Sequence, residues 1–414
     1  DFFSEALLGF NNSLFFLALL PPIIFNSGWE LHPRWLFGLF TPILALAIIG
    51  TLTSAIFVGV VLSLASQAGL APAGITLAET LTFGALISAT DPVSVLAVFT
   101  EHQVDPKMFY LVFGESVLND AVGIVLFETF SKYVGYKHSI ATLLISMIDF
   151  VVIFVGSMLL GAFCAIISAG VLKILRARDD NDAAACHAAR KMQVLTVVCS
   201  VWFPTFVSYI CEMSGIVTTL FAAVGLRHWG LPNLQVCPEE HEQQSNFDGS
   251  GEPPSTTSTL EYVDMVLGTL AHLGDTIVFL YLGLSVPANA KQWKEHYSHS
   301  LVLWSLLACV VGRAIHVYPI CFINNRCFTN VEPENDEDDG AAPLSSGATG
   351  ATRLSREERK RQKEIPAPMQ HMLLFSGLRG AVAFSCAHIF PNANHNRGLF
   401  SVTATTVIIV SMYL

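Results

Sequence analysis

Charged residues are scarce in this chain. Asp, Glu, Lys and Arg together make up 13% of its 414 residues, about half the share that is typical of soluble globular domains. Hydrophobic residues make up 52%, and the mean hydropathy is +0.54. This composition excludes an ordinary soluble enzyme and predicts a polytopic membrane protein.

The sequence also lacks the motifs of several function classes. It has no phosphate-binding loop, which argues against ATP-driven pumping. Its nine cysteines have no CxxC spacing, so they indicate no zinc site. The apolar runs lack the alternation of about ten residues per strand that marks a membrane β-barrel. We therefore expect no cofactor, and we predict that α-helices cross the membrane.

Eleven apolar stretches approach the ~20 residues that a helix needs to span the hydrocarbon. They are residues 13–28, 36–66, 78–99, 108–134, 141–175, 193–212, 215–230, 262–286, 300–323, 369–390 and 399–414. The predicted fold class is thus an all-α polytopic membrane protein.

Basic residues cluster in two loops that four predicted spans separate. One cluster runs from Arg176 to Lys191 and the other from Arg353 to Lys363. Because basic loops usually face the cytoplasm, both are predicted to be cytoplasmic. The polar stretches 232–259 and 324–366 are predicted to be disordered cytoplasmic loops. The basic run of the second loop is a candidate contact for anionic lipid or a regulatory partner, with a solvated linker as the alternative.

Two apolar segments carry carboxylates at the depth of the bilayer. They read SATDP at 88–92 and FGESVLND at 113–120. An ionised side chain at the bilayer centre costs roughly 2.5–3.5 kcal/mol on insertion scales, so such residues usually bind or move ions. Ion transport is therefore the first functional hypothesis.

The second of these segments places its polar groups on one face of a helix. Glu115 and Asn119 are four residues apart, as are Ser116 and Asp120, so the four side chains form a continuous patch. A bare cation needs several oxygen ligands to replace its hydration shell. The predicted ligands are Asp120, Asp91, Ser116 and a backbone carbonyl near Thr90.

Pro92 favours this arrangement, because proline removes a backbone donor and discourages regular helix at Asp91. Interrupted helices at the midplane expose carbonyls and half-helix ends to substrate in many transporters. If a proton and a cation compete for the carboxylate of Asp120, each cycle exchanges one charge for one charge. Electroneutral exchange is the resulting hypothesis.

Only two basic side chains, Arg313 and Arg379, lie deep within apolar segments, and each needs a buried anion. Glu115 is the best candidate for a structural partner, which leaves Asp120 free to titrate. The glycines around Arg379 indicate tight packing or a local break in the helix. Asp275 either faces a water-filled vestibule or marks the start of the membrane-embedded part of its helix.

Four motifs in order carry a resemblance to the sodium/proton exchangers of the cation/proton antiporter superfamily. They are FFLALLPPIIF at 15–25, SATDP at 88–92, FGESVLND at 113–120 and FSGLRGA at 375–381. The resemblance covers nearly the whole chain. It implies a thirteen-helix exchanger fold with inverted repeats and broken crossing helices, a homodimer, and an elevator-like movement of a core domain against a dimer domain.

The resemblance also implies a domain assignment. The whole of 1–414 is then a membrane exchanger domain, and about two N-terminal helices and a regulatory tail that binds regulatory proteins are expected outside the sequence. The core ion-binding helices include 78–134 and 262–390, and the dimer-domain helices include 13–66 and 193–230.

By the same resemblance, Asp120 is the ion-binding and proton-carrying acid, and Asn119 stands where electrogenic relatives carry a second acid. The further cation-binding residues are Asp91, Thr90, Ser116 and Asn119. The supporting residues are the ion pair of Glu115 with Arg313, and Arg379, Pro92 and Asp275 as gating or core support. The transported ions are Na⁺ or K⁺ and H⁺, and the chain is a secondary transporter rather than an enzyme.

The motifs at 88–92, 312–319 and 370–379 are most similar to the endosomal and Golgi branch, which usually exchanges Na⁺ or K⁺ for H⁺. We therefore expect an endosomal or Golgi membrane, with the plasma membrane as the alternative, and a role in regulating pH and cation content. Two other classes remain open. One is a cation channel or ion-sensing protein that uses the same ligands without obligatory exchange. The other is an intramembrane aspartyl protease, although the stretch 272–275 lacks the first glycine of the required GxGD motif.

Overall fold

The structure is a computed structural model. It describes residues 14–31, 38–91, 95, 98–99, 101–135, 140–176, 183–234, 259–288, 290–328, 364–377, 379–392 and 394–413. Pro92, the basic run at 353–363 and most of the loop 232–259 lie outside the described residues. Within the described ranges the chain is almost entirely helical and contains no strand. The prediction of an all-α protein is confirmed.

The α-helices of the described ranges are, in chain order, α1 Leu20–Glu30, α2 Phe40–Leu44, α3 Thr51–Gln67, α4 Leu77–Ser88, α5 Pro106–Ser131, α6 Ile140–Leu175, α7 Ala183–Ile210, α8 Gly215–Gly230, α9 Thr259–Ala288, α10 Ala290–His296, α11 His299–Ile323, α12 Ala367–Phe375, α13 Ala381–His388 and α14 Arg397–Tyr413. The π-helical turns are Phe15–Leu19, Ala45–Gly50 and Asn324–Phe328.

Six described helical segments are long and apolar enough to cross a membrane. They are Phe40–Gln67, Pro106–Ser131, Ile145–Leu175, Cys186–Ile210, Thr259–Leu284 and His299–Arg326. Two shorter apolar helices are Leu77–Ser88 and Arg397–Ser411. Every one of the eleven predicted spans contains described helix.

Two of the predicted spans are interrupted rather than continuous. In the span 78–99, α4 ends at Ser88, and the backbone at Ala89 is extended with ψ 133°. In the span 369–390, five residues separate the end of α12 from the start of α13. The sequence analysis expected a break beside Asp91 and allowed one at the glycines around Arg379.

The two interruptions lie against each other. A Cβ atom at Gly380 would overlap the side chain of Asp91. Gly380 has φ −131° and ψ −155° and directly precedes α13. Glycine therefore serves here to let the Asp91 side chain approach the backbone closely, and it does not serve a left-handed turn.

Local sequence sets the start of the two helices that frame the first interruption. Thr76 and Glu79 form a reciprocal capping box at the N-terminus of α4. Asp105 caps α5 by accepting from the backbone N–H of Lys107, and Pro106 occupies the first helical position. These caps satisfy orphan backbone donors and fix where each helix begins.

The helices pack in two groups. α3 packs most extensively on α4 and α11, and α4 packs on α5. In the other group α8 contacts α1, α6 and α7, and α9 contacts α1. Between the groups, α9 contacts α13, and α5 contacts α6 and α1.

The described ends of the stretch 324–366 contact each other and α5, while residues 329–363 lie outside the described ranges. Asn325 donates to the carbonyl of Ile365 at 2.8 Å and accepts from its N–H at 2.9 Å. Lys107 donates to the carbonyl of Glu364, and the side chain of Ile365 is fully buried. One buried apolar residue and three hydrogen bonds thus attach this end of the loop to α5 and to the end of α11.

Candidate ion-binding site

A cavity of about 420 Å³ lies between the two helix groups. Asp91 and Asp120 line it from one side, and Asp275 lines it from α9 on the other. Asn26 and Glu30, from the last two turns of α1, also line this cavity. Most of the remaining lining is apolar, so these polar groups are the ones that can attract and coordinate a cation.

Helix α5 divides its polar residues between the protein interior and the cavity. Glu115, Ser116 and Asn119 are 1%, 0% and 2% exposed. Asp120 is only partly buried and lines the cavity. The sequence analysis predicted one continuous polar patch, but the structure separates a buried hydrogen-bonded group from one carboxylate that an ion can reach.

Asn119 joins α5 to the interrupted segment after α4. Its Nδ2 donates to Thr90 Oγ1 at 3.0 Å and to Glu115 Oε1 at 3.4 Å. Thr90 Oγ1 also lies 3.4 Å from Ser116 Oγ. These contacts hold the extended backbone at 89–91 against the same turn of α5 that carries Asp120.

Glu115 and Arg313 form a buried bidentate ion pair between α5 and α11. Arg313 Nη1 lies 3.2 Å from Glu115 Oε1, and Nη2 lies 3.2 Å from Oε2. Arg313 also donates to the carbonyl of Leu373, at 3.1 Å from Nε and 2.8 Å from Nη2. A bidentate geometry with further hydrogen bonds is what a buried ion pair needs to offset its desolvation.

Arg379 is buried, with 4% of its surface exposed, but its contacts are of a different kind. Its Nη1 donates to the carbonyl of Gly377 at 3.3 Å, and its backbone N–H donates to Ser411 Oγ at 3.3 Å. Within the part of the chain that the structure describes, Arg379 forms no salt bridge. The guanidinium therefore contacts a backbone carbonyl of the segment that separates α12 from α13.

The structure thus brings together Asp91, Thr90, Glu115, Ser116, Asn119, Asp120 and Arg313 around one turn of α5. Asp275 lies across the cavity from these residues. The sequence analysis missed Thr51, whose Oγ1 donates to Asn119 Oδ1 at 2.6 Å. Threonine is common in membrane helices, and no spacing rule singles out this one.

Comparisons with known proteins find a matching family model, several relatives and a similar fold. The family model for the transmembrane part of sodium/hydrogen exchangers matches residues 5–414. The endosomal/prevacuolar sodium/hydrogen exchanger of Saccharomyces cerevisiae is 31% identical over 378 residues, which cover 91% of this chain and 52% of that protein. Sodium/hydrogen exchanger 5 of Arabidopsis thaliana is 31% identical, with 98% and 66% covered.

Human sodium/hydrogen exchanger 9 is 30% identical, with 96% of this chain and 53% of that protein covered. The chain therefore spans about half to two thirds of the length of these curated relatives. Among solved structures, the sodium proton antiporter MjNhaP1 from Methanocaldococcus jannaschii at pH 8 matches with a TM-score of 0.61 and 15% identity. The match covers 95% of this chain and 81% of that one, and it shows a shared fold.

Proposed function

The chain belongs to the sodium/hydrogen exchanger family, and from this premise we propose that it exchanges a monovalent cation for H⁺ across a membrane by alternating access. The observation that carries the proposal is the position of Asp91 and Asp120 on one cavity beside two interrupted helices. The binding pocket of a soluble protein requires neither paired carboxylates on a cavity nor interrupted helices beside it. Both are features of ion sites in membrane transporters.

Asp120 is the proposed carrier of both ions. It lines the cavity and is partly exposed, so a proton or a cation can reach it. When the carboxylate is ionised it attracts a cation, and when it is protonated it attracts none. The two ions therefore occupy the site in turn, and one bound charge replaces another.

The neighbouring oxygens complete the proposed cation site. Asp91 lies on the same cavity, and Thr90, whose backbone carbonyl is a proposed ligand, lies outside regular helix. The hydroxyl of Ser116 lies beside Thr90. Asn119 is proposed to support the ligands, because both of its N–H groups donate to protein atoms.

Two arginines are proposed to support the site without touching the ion. Arg313 neutralises Glu115, so this buried carboxylate does not compete with Asp120 for protons or cations. Arg379 holds the interrupted segment between α12 and α13 through its hydrogen bonds to the carbonyl of Gly377 and to Ser411 Oγ. Because Glu115 is paired with Arg313, Asp120 is proposed to be the carboxylate of this part of α5 that binds a proton and a cation in turn.

The cavity is proposed to open toward the cytoplasm. With the basic loops placed in the cytoplasm, α1 ends there and α9 begins there. The cavity follows α1 from Leu20 to Glu30 and α9 from Asp275 back to Gly268. Both of these walls run from the middle of the membrane toward the cytoplasmic side, which is the arrangement of an inward-open state.

The packing supports a movement of one helix group against the other. The group that contains α3, α4, α5 and α11 carries the proposed ligands, and the group that contains α1 and α6 to α9 forms the opposite wall. In this proposal α3, from the range 13–66 first assigned to the dimer domain, moves with the ion site. α9, from the range 262–390 first assigned to the core, belongs to the static group. A homodimer formed through that group is part of the proposal.

The finer features of the function are also proposals. The relatives include an endosomal/prevacuolar exchanger, which supports an endosomal membrane, and Golgi and plasma membranes remain the alternatives to it. K⁺ joins Na⁺ as a candidate cation because the site consists of carboxylate, hydroxyl and carbonyl oxygens, which coordinate both. Anionic lipid and regulatory proteins are proposed partners of the cytoplasmic loops and of a C-terminal tail.

The first prediction tests exchange directly. We expect proteoliposomes that contain the full-length protein to change their internal pH when Na⁺ or K⁺ is added, with saturation and with no dependence on clamped voltage. Asp120→Asn is expected to abolish this signal, because an amide neither exchanges a proton nor balances a bound cation. Glu261→Gln, at an exposed carboxylate of α9 outside the cavity, is the matched control and is expected to transport normally.

Cation flux without coupled protons would favour a channel and would contradict the proposal. Wild-type exchange by Asp120→Asn would overturn the role of that carboxylate. Size-exclusion profiles of the purified variants establish that a loss of exchange is not a loss of folded protein.

A further inference from the structure

Thr51 lies where one helix touches two others. It is the first residue of α3 and is buried, with 2% of its surface exposed. It directly follows the π-helical turn Ala45–Gly50. A Cβ atom at Gly50, the last residue of that turn, would come within 2.8 Å of the His316 ring of α11. The chain thus contacts α11 at Gly50 and α5 at the next residue, Thr51. Such π-helical turns frequently occur at functional sites.

The hydroxyl of Thr51 makes an unusual hydrogen bond for a membrane helix. Thr53, Thr129 and several other threonines donate to the carbonyl four residues earlier in their own helix, at 2.7 Å in these two cases, which is the common arrangement. Thr51 instead donates across to Asn119 Oδ1 at 2.6 Å. The hydroxyl of Thr51 therefore links α3 to α5 and does not bond to a carbonyl of its own helix.

This bond completes the orientation of the Asn119 side chain. An amide oxygen only accepts, so Thr51 must be the donor, and the amide nitrogen then points the other way. Both N–H groups are used, one on Thr90 Oγ1 at 3.0 Å and one on Glu115 Oε1 at 3.4 Å. Thr90 Oγ1 accepts from Asn119, so its own proton is free to point to Ser116 Oγ at 3.4 Å.

The result is a chain of hydrogen bonds that links Thr51, Asn119, Thr90 and Ser116. It runs from α3, which carries none of the proposed ligands, to the interrupted backbone at 89–91. Asp91 is the next residue after Thr90, and Asp120 is the next residue after Asn119. The position of the amide therefore sets how the two cavity-lining carboxylates face each other.

We propose that Thr51 is a positioning residue, whose hydroxyl fixes the Asn119 amide and through it the geometry of the cation site formed at Thr90, Asp91 and Asp120. This inference rests on the proposed function. Thr51 does not touch the ion. It acts by limiting the movement of the amide that holds the interrupted segment against α5.

The test uses four variants of the full-length protein in proteoliposomes. Thr51→Val keeps the shape and removes the hydroxyl, and Thr51→Ser keeps the hydroxyl. Thr53→Val removes a hydroxyl that bonds only within its own helix, and Asp120→Asn serves as the site control. The apparent KM for Na⁺ or K⁺ and the maximal rate are measured across a range of pH.

Thr51→Val is expected to raise the apparent KM about tenfold, the effect of one lost buried hydrogen bond, and to change the pH profile of exchange. Thr51→Ser is expected to restore both values, and Thr53→Val is expected to leave both unchanged. A purely structural role would lower the amount of folded protein without this change in KM, and that result would overturn the inference. An equal KM shift in Thr53→Val, or a failure of Thr51→Ser to recover, would overturn it as well.

The same experiment separates failure of this inference from failure of the proposed function. If Asp120→Asn is inactive and Thr51→Val has the wild-type KM, only the role of Thr51 is wrong. If Asp120→Asn exchanges ions like the wild type, the proposed site itself is wrong.

Discussion

At the scale of single residues, the buried ion pair explains how two carboxylates five residues apart in one helix have different surroundings. Glu115 is enclosed and held by both arms of the Arg313 guanidinium. Asp120 faces the cavity. One acid is thus committed to the structure, and the other stays accessible to ions.

The pair leads to a prediction about stability. Arg313→Met or Glu115→Gln alone is expected to destabilise the protein by about 3–5 kcal/mol, because each leaves a buried group without its partner. The double variant is expected to be more stable than either single variant. Thermal unfolding of the purified proteins in detergent measures this. A double variant no more stable than the less stable single variant would contradict the coupling.

The residue scale also shows where sequence reasoning reaches its limit. Asp91, Glu115 and Asp120 could be predicted, because a charged residue in an apolar run is costly and therefore conspicuous. Thr51 could not, since a threonine in a membrane helix commonly bonds to a carbonyl of its own helix, as Thr53 does, and only the structure shows that Thr51 bonds to Asn119. The carbonyl that Arg379 contacts was also not predictable, since it is exposed only where α12 ends.

At the scale of elements, the two interrupted helices determine the shape of the site. Apolar length predicted both spans, but length alone does not show where a helix stops. The proline beside Asp91 and the glycines beside Arg379 indicated approximately where the two helices are interrupted. The contact between the two interruptions depends on tertiary packing and was found only in the structure.

Gly380 leads to the next prediction. Gly380→Ala is expected to reduce the exchange rate at least about tenfold, because the added methyl group overlaps the side chain of Asp91 and a well-packed interior relaxes only partly around such a group. Gly283→Ala is the control, since a Cβ atom there meets nothing within 4 Å. Ion flux in proteoliposomes measures both variants. Normal exchange by Gly380→Ala would show that the close contact is not required for transport.

At the scale of the whole molecule, the cavity between the two helix groups determines the side from which an ion would reach the proposed site. The orientation of the helices was predicted from the distribution of basic residues, and the path of the cavity came from packing. The proposed inward-open state depends on both.

Accessibility tests this orientation. Gly268→Cys lines the cavity, and a Cβ atom there meets nothing within 4 Å. In a background without reactive native cysteines, we expect a membrane-impermeant maleimide to label it from the cytoplasmic side only. Gly283→Cys, on the same helix but outside the cavity lining, is the control and should not be labelled from that side. Labelling of Gly268→Cys only from the opposite side would reverse the proposed orientation.

The uncharged amide of Asn119 has a consequence for the ion gradients that the proposed exchange can support. The residue beside Asp120 is uncharged. The proposed cycle therefore moves one Na⁺ or K⁺ in one direction and one proton in the other, with no net transfer of charge. Membrane voltage then neither drives nor opposes the transport. At equilibrium the concentration ratio of the cation across the membrane equals that of protons, so each pH unit of gradient supports about a tenfold cation gradient, worth about 1.36 kcal/mol. An organelle that acidifies its lumen would thereby set its cation content through its pH alone.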